Sequence, residues 1–445
     1  MINMDDNTVL SEILSPVLPL LKEEADKLKK DADTYKLSLY FFTVNLLYGC
    51  IKGTKSIALL VTEIRHSPDA RALGLVVASQ SMYSEAFNRY TPASYRRIFY
   101  GLLERLSFLE VPEIRTLGRL LCIDGSVFPA FRTMDWANYQ TSSNAIKIHL
   151  AFELNRMLPV QFLCTDANSS ERKALLAMLE AGVTYIADRG YVCFSMFHAI
   201  AEKQAYFLVR TKTNLRYLSK EVLTPCIPPQ WSLYVSEVTD TTVQCINDKE
   251  QAIYRLVTFA AMGETYFMIT NRFDLKTHEV IMLYAHRWQV ELFFRCLKRT
   301  LNALHLWSHD PKGVQIHFYV YLISYVLLLH FKQRCELKND RISRPLQSDE
   351  RCSGDPPNTT SRCLPESRIP PACGVVSLFG GKLRRYWKIG IHWLSTVRNL
   401  LLQPVTPDVG SFSISRGSGY GSARRWEMMS GRGGMLLAPE RRSER

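Results

Sequence analysis

The segment Leu120-Leu-Cys-Ile-Asp-Gly-Ser126 marks the point where this chain of 445 residues changes its pattern. It is a short apolar run that ends in a turn dipeptide, which is typical of a β-strand. Upstream of it, apolar residues recur at helical spacing, for example over residues 37–47 and 98–106. We therefore predict a helical region over residues 1–115 and an α/β region that begins at residue 116.

Strands and helices follow one another in a definite order downstream of that segment. The predicted elements are strands at residues 120–123, 145–152 and 158–164, a helix at 172–180, a strand at 184–187, a helix at 195–203 and a strand at 205–210. Three neighbouring strands followed by helix, strand, helix and strand is the order of a ribonuclease H-like domain. The sequence therefore predicts an α/β fold with a ribonuclease H-like catalytic core.

Composition divides the rest of the chain into further regions. Segments rich in Thr, Val, Tyr and Pro favour strands and interrupt the core, whereas the C-terminal region is rich in Pro, Ser, Cys and Arg. The predicted regions are a first part of the core at residues 116–212, a β-rich insertion at 213–274, a second part of the core at 275–335 and a poorly defined region at 336–445. In the last region we expect an amphipathic helix at residues 378–402 and disorder beyond Pro407.

Four polar residues in the second part of the core are spaced by three, four and seven positions, namely Tyr284, Arg287, Glu291 and Lys298. At roughly 100° per residue they fall within about 60° of arc on one helix. An adjoining apolar stripe is suited to pack on a core. Its members are Val290, Phe293, Phe294, Leu297 and Leu301. The segment therefore predicts a single helix with a packing face and a polar edge suited to a phosphate and a metal.

Three acidic residues stand where a metal site would be built. Asp124 and Asp188 each follow a predicted strand, and neighbouring parallel strands would bring both carboxylates to one sheet edge. Glu291 would reach that edge from the helix beside it. Phosphodiester cleavage and strand transfer use two divalent cations about 4 Å apart, which three carboxylates can hold. We therefore predict that Asp124, Asp188 and Glu291 are the catalytic metal ligands.

Each of these assignments has an ordinary alternative. Asp124-Gly125 is a common turn dipeptide, Asp188 a common strand end, and Glu291 one member of a solvated helix face. Asp135 and Asp166 are rival acids near strand ends, although the residues after Asp166 are typical of a turn and a helix cap. The combination of the three acids with the polar edge favours the metal site.

The net charge of +13 is unevenly distributed along the chain. Residues 1–274 are neutral overall, whereas residues 275–335 carry eight basic and three acidic side chains. Charge therefore supports nucleic-acid binding near the polar edge. In the helical region, Arg89, Arg96 and Arg97 flank a proline in a pattern compatible with a helix-turn-helix-like DNA contact. A helical bundle with a few exposed arginines is the alternative.

The sequence does not predict an exported or membrane protein. Its start lacks the order of a signal peptide, and the longest apolar run, residues 318–330, is shorter than the roughly 20 residues that span a bilayer. We interpret that run as a buried core helix. The eleven cysteines show no paired C-x-x-C pattern, which indicates reduced thiols in the cytoplasm. His305 and His309 have no evident third ligand and are expected to be structural or solvated.

The spacing Tyr284-x2-Arg287-x3-Glu291-x6-Lys298 resembles the signature of bacterial DDE transposases of the family named for insertion sequence 4. Asp124-Gly125-Ser126 is similar to that family's first acidic motif. Ala187-Asp188-Arg189-Gly190-Tyr191 is similar to its second. The resemblance extends over roughly residues 35–335 and includes the β-rich insertion. Beyond Lys338 the chain does not resemble the family's C-terminal helices, and a frameshift is one hypothesis for this tail.

The resemblance implies an enzyme that cleaves DNA at terminal inverted repeats and joins the freed 3′-hydroxyl to a target, in some members through a hairpin. It implies two Mg²⁺ (or Mn²⁺) ions on the three acids and phosphate contacts from Tyr284, Arg287 and Lys298. Double-stranded DNA and a homodimer formed on that DNA are the implied partners. Two other functions stay open, a ribonuclease H-like nuclease without strand transfer and a catalytically silent DNA-binding relic.

Overall fold

The structure is a computed structural model that describes residues 9–28, 31–139, 143–229, 231, 234–261 and 263–343. The predicted helix at residues 378–402 and the predicted disorder beyond Pro407 lie outside these residues. So does most of the region predicted from residue 336 onward. The eight cysteines within the described ranges are free thiols, as the sequence predicts.

Helices build the described N-terminal region, in agreement with its apolar spacing. They are α1 (Val9–Leu14), α2 (Leu18–Asp26), α3 (Asp31–Thr34), α4 (Leu39–Lys52), α5 (Ile57–His66), α6 (Pro68–Ala72), α7 (Gln80–Arg89) and α8 (Pro92–Arg105). The side chains of Ser56, Ser67 and Ser79 accept hydrogen bonds from backbone N–H groups in the first turns of α5, α6 and α7. Pro92 stands in the first turn of α8, where its missing N–H costs no hydrogen bond. Pro92 thus opens α8 shortly after α7 ends at Arg89.

A long helix, α13 (Pro311–Ser343), joins the helical region to the sheet. It packs against α4, α7 and α8 and also contacts strand β4 (Leu158–Asp166). By length and composition, residues 311–337 could cross a membrane, so the prediction that this run is too short was wrong. The bent pair of α4 and α5 passes the same test only when counted as one span. Because 78% of the most apolar window of α13 is buried within the fold, it is the core helix that the sequence predicts.

The described strands belong to one mixed sheet. They are β1 (Arg119–Pro129), β2 (Asn138–Tyr139), β3 (Ser143–Glu153), β4 (Leu158–Asp166), β5 (Val183–Ala187), β6 (Tyr206–Arg210), β7 (Tyr217–Leu223), β8 (Ser236–Cys245), β9 (Ile253–Ala261) and β10 (Glu264–Thr270). Strand β3 pairs antiparallel with both β4 and β1, whereas β1, β5 and β6 are parallel neighbours. The spatial order is therefore β4, β3, β1, β5, β6. The predicted sequence of elements in the first part of the core is confirmed.

Two helices connect the parallel strands, α9 (Glu171–Leu176) before β5 and α10 (Phe194–Glu202) before β6. Helix α9 is shorter than the helix predicted over residues 172–180. Its continuation is replaced by side-chain hydrogen bonds, since the Tyr185 hydroxyl donates to Met178 O at 3.0 Å and accepts from Glu180 N at 2.6 Å. The backbone groups that would extend the helix are thus satisfied from a neighbouring strand.

Strands β7 to β10 come from the predicted β-rich insertion and extend the same sheet. Strand β10 pairs antiparallel with β6, and β9, β8 and β7 follow outward. A buried ion pair ties them to the next helix, α11 (Thr277–His286). Arg255 Nη2 and Nε donate to the Asp240 carboxylate at 2.6 and 2.9 Å, and Thr277 Oγ1 donates to Asp240 Oδ2 at 2.8 Å. The segment is therefore continuous with the core sheet.

Candidate acidic active site

The first two predicted acids occupy equivalent positions on neighbouring strands. Strands β1 and β5 pair in parallel register up to Cys122 opposite Ile186, so Asp124 and Asp188 each lie two residues further on. Asp188 directly follows β5, as predicted. The prediction that Asp124 ends a strand was wrong, because β1 continues to pair with β3 as far as Pro129. The parallel register nevertheless gives the two aspartates equivalent positions on neighbouring strands.

Asp124 is held in an environment that disfavours its charge. Burial is the main reason that its pKa is raised to about 6, and the charges of Glu291 and Glu171 add to the rise. A hydrogen bond from Gly125 N to Asp124 Oδ1, 2.8 Å long, and the charge of Arg287 act in the opposite direction. The charges of two other carboxylates therefore act on Asp124, and an added cation would relieve their repulsion.

The thiol of Cys122 lies within electrostatic reach of all three predicted acids. It is fully buried and donates a hydrogen bond to Arg287 O at 3.7 Å. Burial raises the pKa of this thiol, Arg287 lowers it, and the charges of Asp124, Glu291 and Asp188 raise it further. The fold thus gathers acids that are far apart in the sequence around one buried side chain.

The polar edge lies on two helices, so the prediction of a single helix was wrong. Helix α11 ends at His286 and α12 (Trp288–Arg299) begins after Arg287, whose backbone stays helical with φ −53° and ψ −31°. Across the junction, Arg287 N donates to Tyr284 O at 3.1 Å and Val290 N donates to Arg287 O at 3.2 Å. These i to i−3 bonds separate the two helices, while the backbone of Arg287 stays helical. The predicted apolar stripe is buried, with each of its five members at most 5% exposed.

Members of the polar edge contact two of the acids directly. Arg287 Nη2 donates to Glu291 Oε1 at 2.6 Å, and the Arg287 side chain is only 12% exposed. The Tyr284 hydroxyl donates to Asp188 Oδ1 at 3.4 Å. Burial raises the pKa of Tyr284, so this hydroxyl keeps its proton and remains a donor. The edge therefore positions Asp188 and Glu291 from the helical side of the site.

Lys298 reaches the same site from the last turn of α12. Its Nζ donates to Val127 O at 2.9 Å and lies 4.7 Å from the centre of the Phe128 ring. Burial lowers the pKa of Lys298, while the charge of Asp124 opposes that shift. The lysine is thus anchored on β1, three residues beyond the first acid.

The three acids fit a divalent cation by their chemistry. Their donor atoms are carboxylate oxygens, which Mg²⁺ and Mn²⁺ prefer. The raised pKa of Asp124 reflects burial together with negative charge that a cation would neutralise. Among the described residues, however, no three His, Cys, Asp or Glu side chains stand close enough together to hold a metal ion as they are. The acids would have to close around the ion.

The three predicted arginines of the helical region differ in their surroundings. Arg97 makes a bidentate ion pair with Glu24, with Nη2 2.8 Å from Oε2, and the Glu24 side chain is 4% exposed. Arg89 stacks on the Tyr35 ring at 3.4 Å and donates to Leu37 O. Arg96 is exposed and lies 5.7 Å from the centre of the Tyr100 ring. Arg97 and Arg89 thus have structural partners, and a DNA contact by these arginines stays a prediction.

The other residues considered as metal ligands, Asp166, Asp135 and His309, have structural surroundings. Asp166 accepts hydrogen bonds from Asn168 N at 2.9 Å and Ser169 Oγ at 2.6 Å, the turn that the sequence predicts. Asp135 opens a short 3₁₀ turn. His309 stacks on Phe131 with ring centres 4.1 Å apart, which agrees with a structural role. No described cluster of metal-binding side chains includes His305 or His309.

Sequence reasoning missed three residues near the acids. Glu171, the first residue of α9, pairs with Lys147 of β3, with Nζ 3.2 Å from Oε1. Tyr191 follows the second acid and is 2% exposed, and Glu171 and Asp124 both act on its hydroxyl. No spacing rule connects Glu171 with Asp124, because they meet only through the folding of the sheet. Tyr191 belongs to the second acidic motif, but its position in that motif does not predict a role for its hydroxyl.

The site lies within the stretch of the chain that matches a known protein family. Residues 115–327 match the family described as the transposase DDE domain. All three predicted acids and the whole polar edge lie within that range.

Two individual relatives of this chain are also described as transposases. The chain is 27% identical over 272 residues to a putative transposase, y4zB, of Sinorhizobium fredii, which covers 60% of this chain and 74% of that protein. It is 26% identical over 197 residues to a probable transposase for insertion sequence element IS5377 of Geobacillus stearothermophilus, over 44% of this chain and 52% of that protein. The chain thus spans about half the length of the second relative. These comparisons support a transposase function in general.

One solved structure is also similar, that of an endonuclease V from Bacillus subtilis. The match has 12% sequence identity and covers 57% of this chain and 96% of that chain. Its TM-score is 0.21, which is too low to support an argument about fold or function.

Proposed function

We propose that this protein is a DDE transposase of the insertion sequence 4 type that cleaves DNA at terminal inverted repeats and transfers the freed strand to a target. The observation that carries the proposal is the parallel register of β1 and β5, in which Asp124 and Asp188 each follow the last paired residues by two positions. Helix α12, which bears Glu291, packs against β1. The order β4, β3, β1, β5, β6 supports a ribonuclease H-like core.

The proposed cofactor is a pair of Mg²⁺ or Mn²⁺ ions held by Asp124, Asp188 and Glu291. When bound, such ions activate an oxygen nucleophile and stabilise the charge that develops on the leaving oxygen. The negative charges of Glu291 and Glu171 that act on the buried Asp124 support this cofactor.

The polar edge would orient the acids and the DNA backbone. The hydrogen bond from Arg287 to Glu291 fixes one carboxylate, and the Tyr284 hydroxyl does the same for Asp188. Arg287 Nε is buried and has no hydrogen-bond partner among the described groups, which supports a further contact with a phosphate oxygen. Lys298 supplies a second cation beside β1. Phosphate contacts of this kind position DNA without reading its sequence.

The proposed partner is double-stranded DNA, bound by a homodimer that forms on it in the cytoplasm. Arg89, Arg96 and Arg97 are the proposed contacts of the helical region. Of these, the exposed Arg96 is best placed for a phosphate, because Arg97 is held by Glu24.

The experiment that tests the function is Mg²⁺-dependent cleavage of a labelled DNA carrying the ends of the element. Wild type is compared with Glu291→Gln, and Glu250→Gln, an exposed glutamate of the β8–β9 turn, is the matched control. We expect cleavage by wild type and the control only, with end binding retained in all three. Adding unlabelled target DNA then separates strand transfer from simple nuclease activity. End binding without any cleavage by wild type would refute the catalytic proposal and favour a silent relic.

A further inference from the structure

The carboxylate of Glu171 lies between the two backbone segments that follow the first two acids. A Cβ atom at position 125 would lie 3.0 Å from Glu171 Oε1, and one at position 190 would lie 3.6 Å from Oε2. Gly125 directly follows Asp124, and Gly190 follows Asp188 by two residues. The two glycines therefore leave room for this carboxylate beside both aspartates.

Glu171 is held in this place by a cation from the central sheet. Lys147 Nζ lies 3.2 Å from Glu171 Oε1, and the two side chains are 15% and 31% exposed. Lys147 is opposite Val127 in the pairing of β3 with β1, and Lys298 binds the carbonyl of that same Val127. The ion pair thus lies on the sheet next to the site, and its carboxylate faces the glycines that follow the first two acids.

A buried hydroxyl without a partner faces the same group of acids. Tyr191 is 2% exposed, and its hydroxyl has no hydrogen-bond partner among the described residues. Apart from burial, the groups that raise its pKa are Glu171, Asp124 and Cys122, so the hydroxyl lies within electrostatic reach of two carboxylates of the site. A buried hydroxyl normally finds a partner, so this one indicates that a ligand or its water completes the site.

Charge also favours a fourth carboxylate. The three predicted acids carry three negative charges, and one of them is already paired with Arg287. Two divalent cations bring four positive charges, and oxygen ligands from carboxylates are what such ions take. Glu171 is the additional acid that acts on Asp124 in the folded chain.

Building on the proposed function, we infer that Glu171 is a fourth carboxylate of the divalent-cation site and that Lys147 is the counter-ion that holds it there before a cation binds. Glu171 would exchange the Lys147 ammonium for the cation, which would supply the positive charge in its place. The Tyr191 hydroxyl donates to a water or carboxylate of the occupied site.

The test is a titration of the full chain with Mn²⁺ alone, without DNA, with free Mn²⁺ measured by electron paramagnetic resonance. The variants are Glu171→Gln, Glu171→Asp, Lys147→Gln and Asp124→Asn. The matched control is Glu180→Gln, because Glu180 is also ion-paired, with Arg119 at the far end of β1, and accepts from Gln161 at 2.9 Å. Thermal unfolding monitors whether each variant is folded.

We expect Glu171→Gln to weaken Mn²⁺ binding by about 10-fold or more, as for loss of a group that supports a metal site. Glu171→Asp keeps the charge and is expected to bind with intermediate affinity, so it serves as the test if the glutamine variant does not fold. Lys147→Gln should bind Mn²⁺ as well as wild type or more tightly. The control should bind as wild type does.

Two results would overturn the inference while leaving the proposed function intact. In the first, Asp124→Asn weakens Mn²⁺ binding but Glu171→Gln and Glu171→Asp do not. In the second, Lys147→Gln weakens binding as much as Glu171→Gln, which would make the pair purely structural. If wild type shows no saturable Mn²⁺ binding, or Asp124→Asn binds like wild type, the proposed metal site itself fails.

Discussion

The buried pair of Asp240 and Arg255 gives the sharpest prediction about how the sheet positions the site. Both side chains are at most 5% exposed, and the Asp240 carboxylate accepts two hydrogen bonds from Arg255 and one from Thr277. Asp240→Ala would leave a guanidinium buried without its counter-ion. Breaking a buried ion pair in this way costs about 3–5 kcal/mol. The free energy of unfolding should therefore fall by about 4 kcal/mol.

Equilibrium unfolding in urea measures this loss. With a slope of about 3 kcal/mol per M, the midpoint should fall by a little more than 1 M, and less if the slope is larger. Asp274→Ala is the matched control, because Asp274 also pairs with a buried arginine but is itself 62% exposed. An ion pair with an exposed partner contributes about 1 kcal/mol or less to the free energy of unfolding. Equal midpoints for Asp240→Ala and wild type would refute the reasoning.

The same substitution should also disturb the active site, because Asp240 is bonded to the first residue of α11. Thr277, the first residue of α11, loses its bond to Asp240, and this helix carries Tyr284. We expect Asp240→Ala to weaken binding to DNA ends under conditions where the protein is still folded, whereas Asp274→Ala should not. Unchanged end binding would show that α11 is positioned by its apolar packing alone.

Three further predictions concern charges at and beyond the site. Lys298→Ala should weaken end binding and reduce the slope of log affinity against log salt by about 1, and an unchanged slope would make Lys298 a structural contact to β1. Because the pKa of Asp124 is raised to about 6 in the folded protein, the ionised form opposes folding, and stability from this group is lost as pH rises from about 4 to 6. Asp124→Asn should therefore stabilise the metal-free protein at pH 7 by on the order of 3 kcal/mol, because the pKa lies about two units above its ordinary value and each unit is worth about 1.4 kcal/mol, and should show no gain at pH 4. Arg97→Ala should lower the melting temperature, because the buried Glu24 carboxylate loses one of its two cationic partners and keeps only Lys27. Arg96→Ala should instead weaken DNA binding without changing stability, and the reverse pattern would contradict the assignment.

Local pattern predicted most of the elements because it depends on short-range physics. The apolar spacing of the first 115 residues gives helices, and the apolar runs after residue 117 give strands, in the order that the structure has. The five apolar residues from Val290 to Leu301 are buried as their spacing predicts. The errors lie where side chains from elsewhere intervene. Tyr185 ends α9 early, and pairing with β3 extends β1 past Asp124.

The assembly of the site shows what the sequence alone determined and what needed the tertiary structure. Asp124, Asp188, Glu291 and the polar edge were identified from residue type, position after strands and helical spacing, all of which are local properties. Glu171 could not be identified in this way, because its approach to Gly125 and Gly190 depends on how β3, β4 and α9 fold back across β1. Contacts between residues distant in the chain depend on strand register and helix packing, and only the folded sheet decides these.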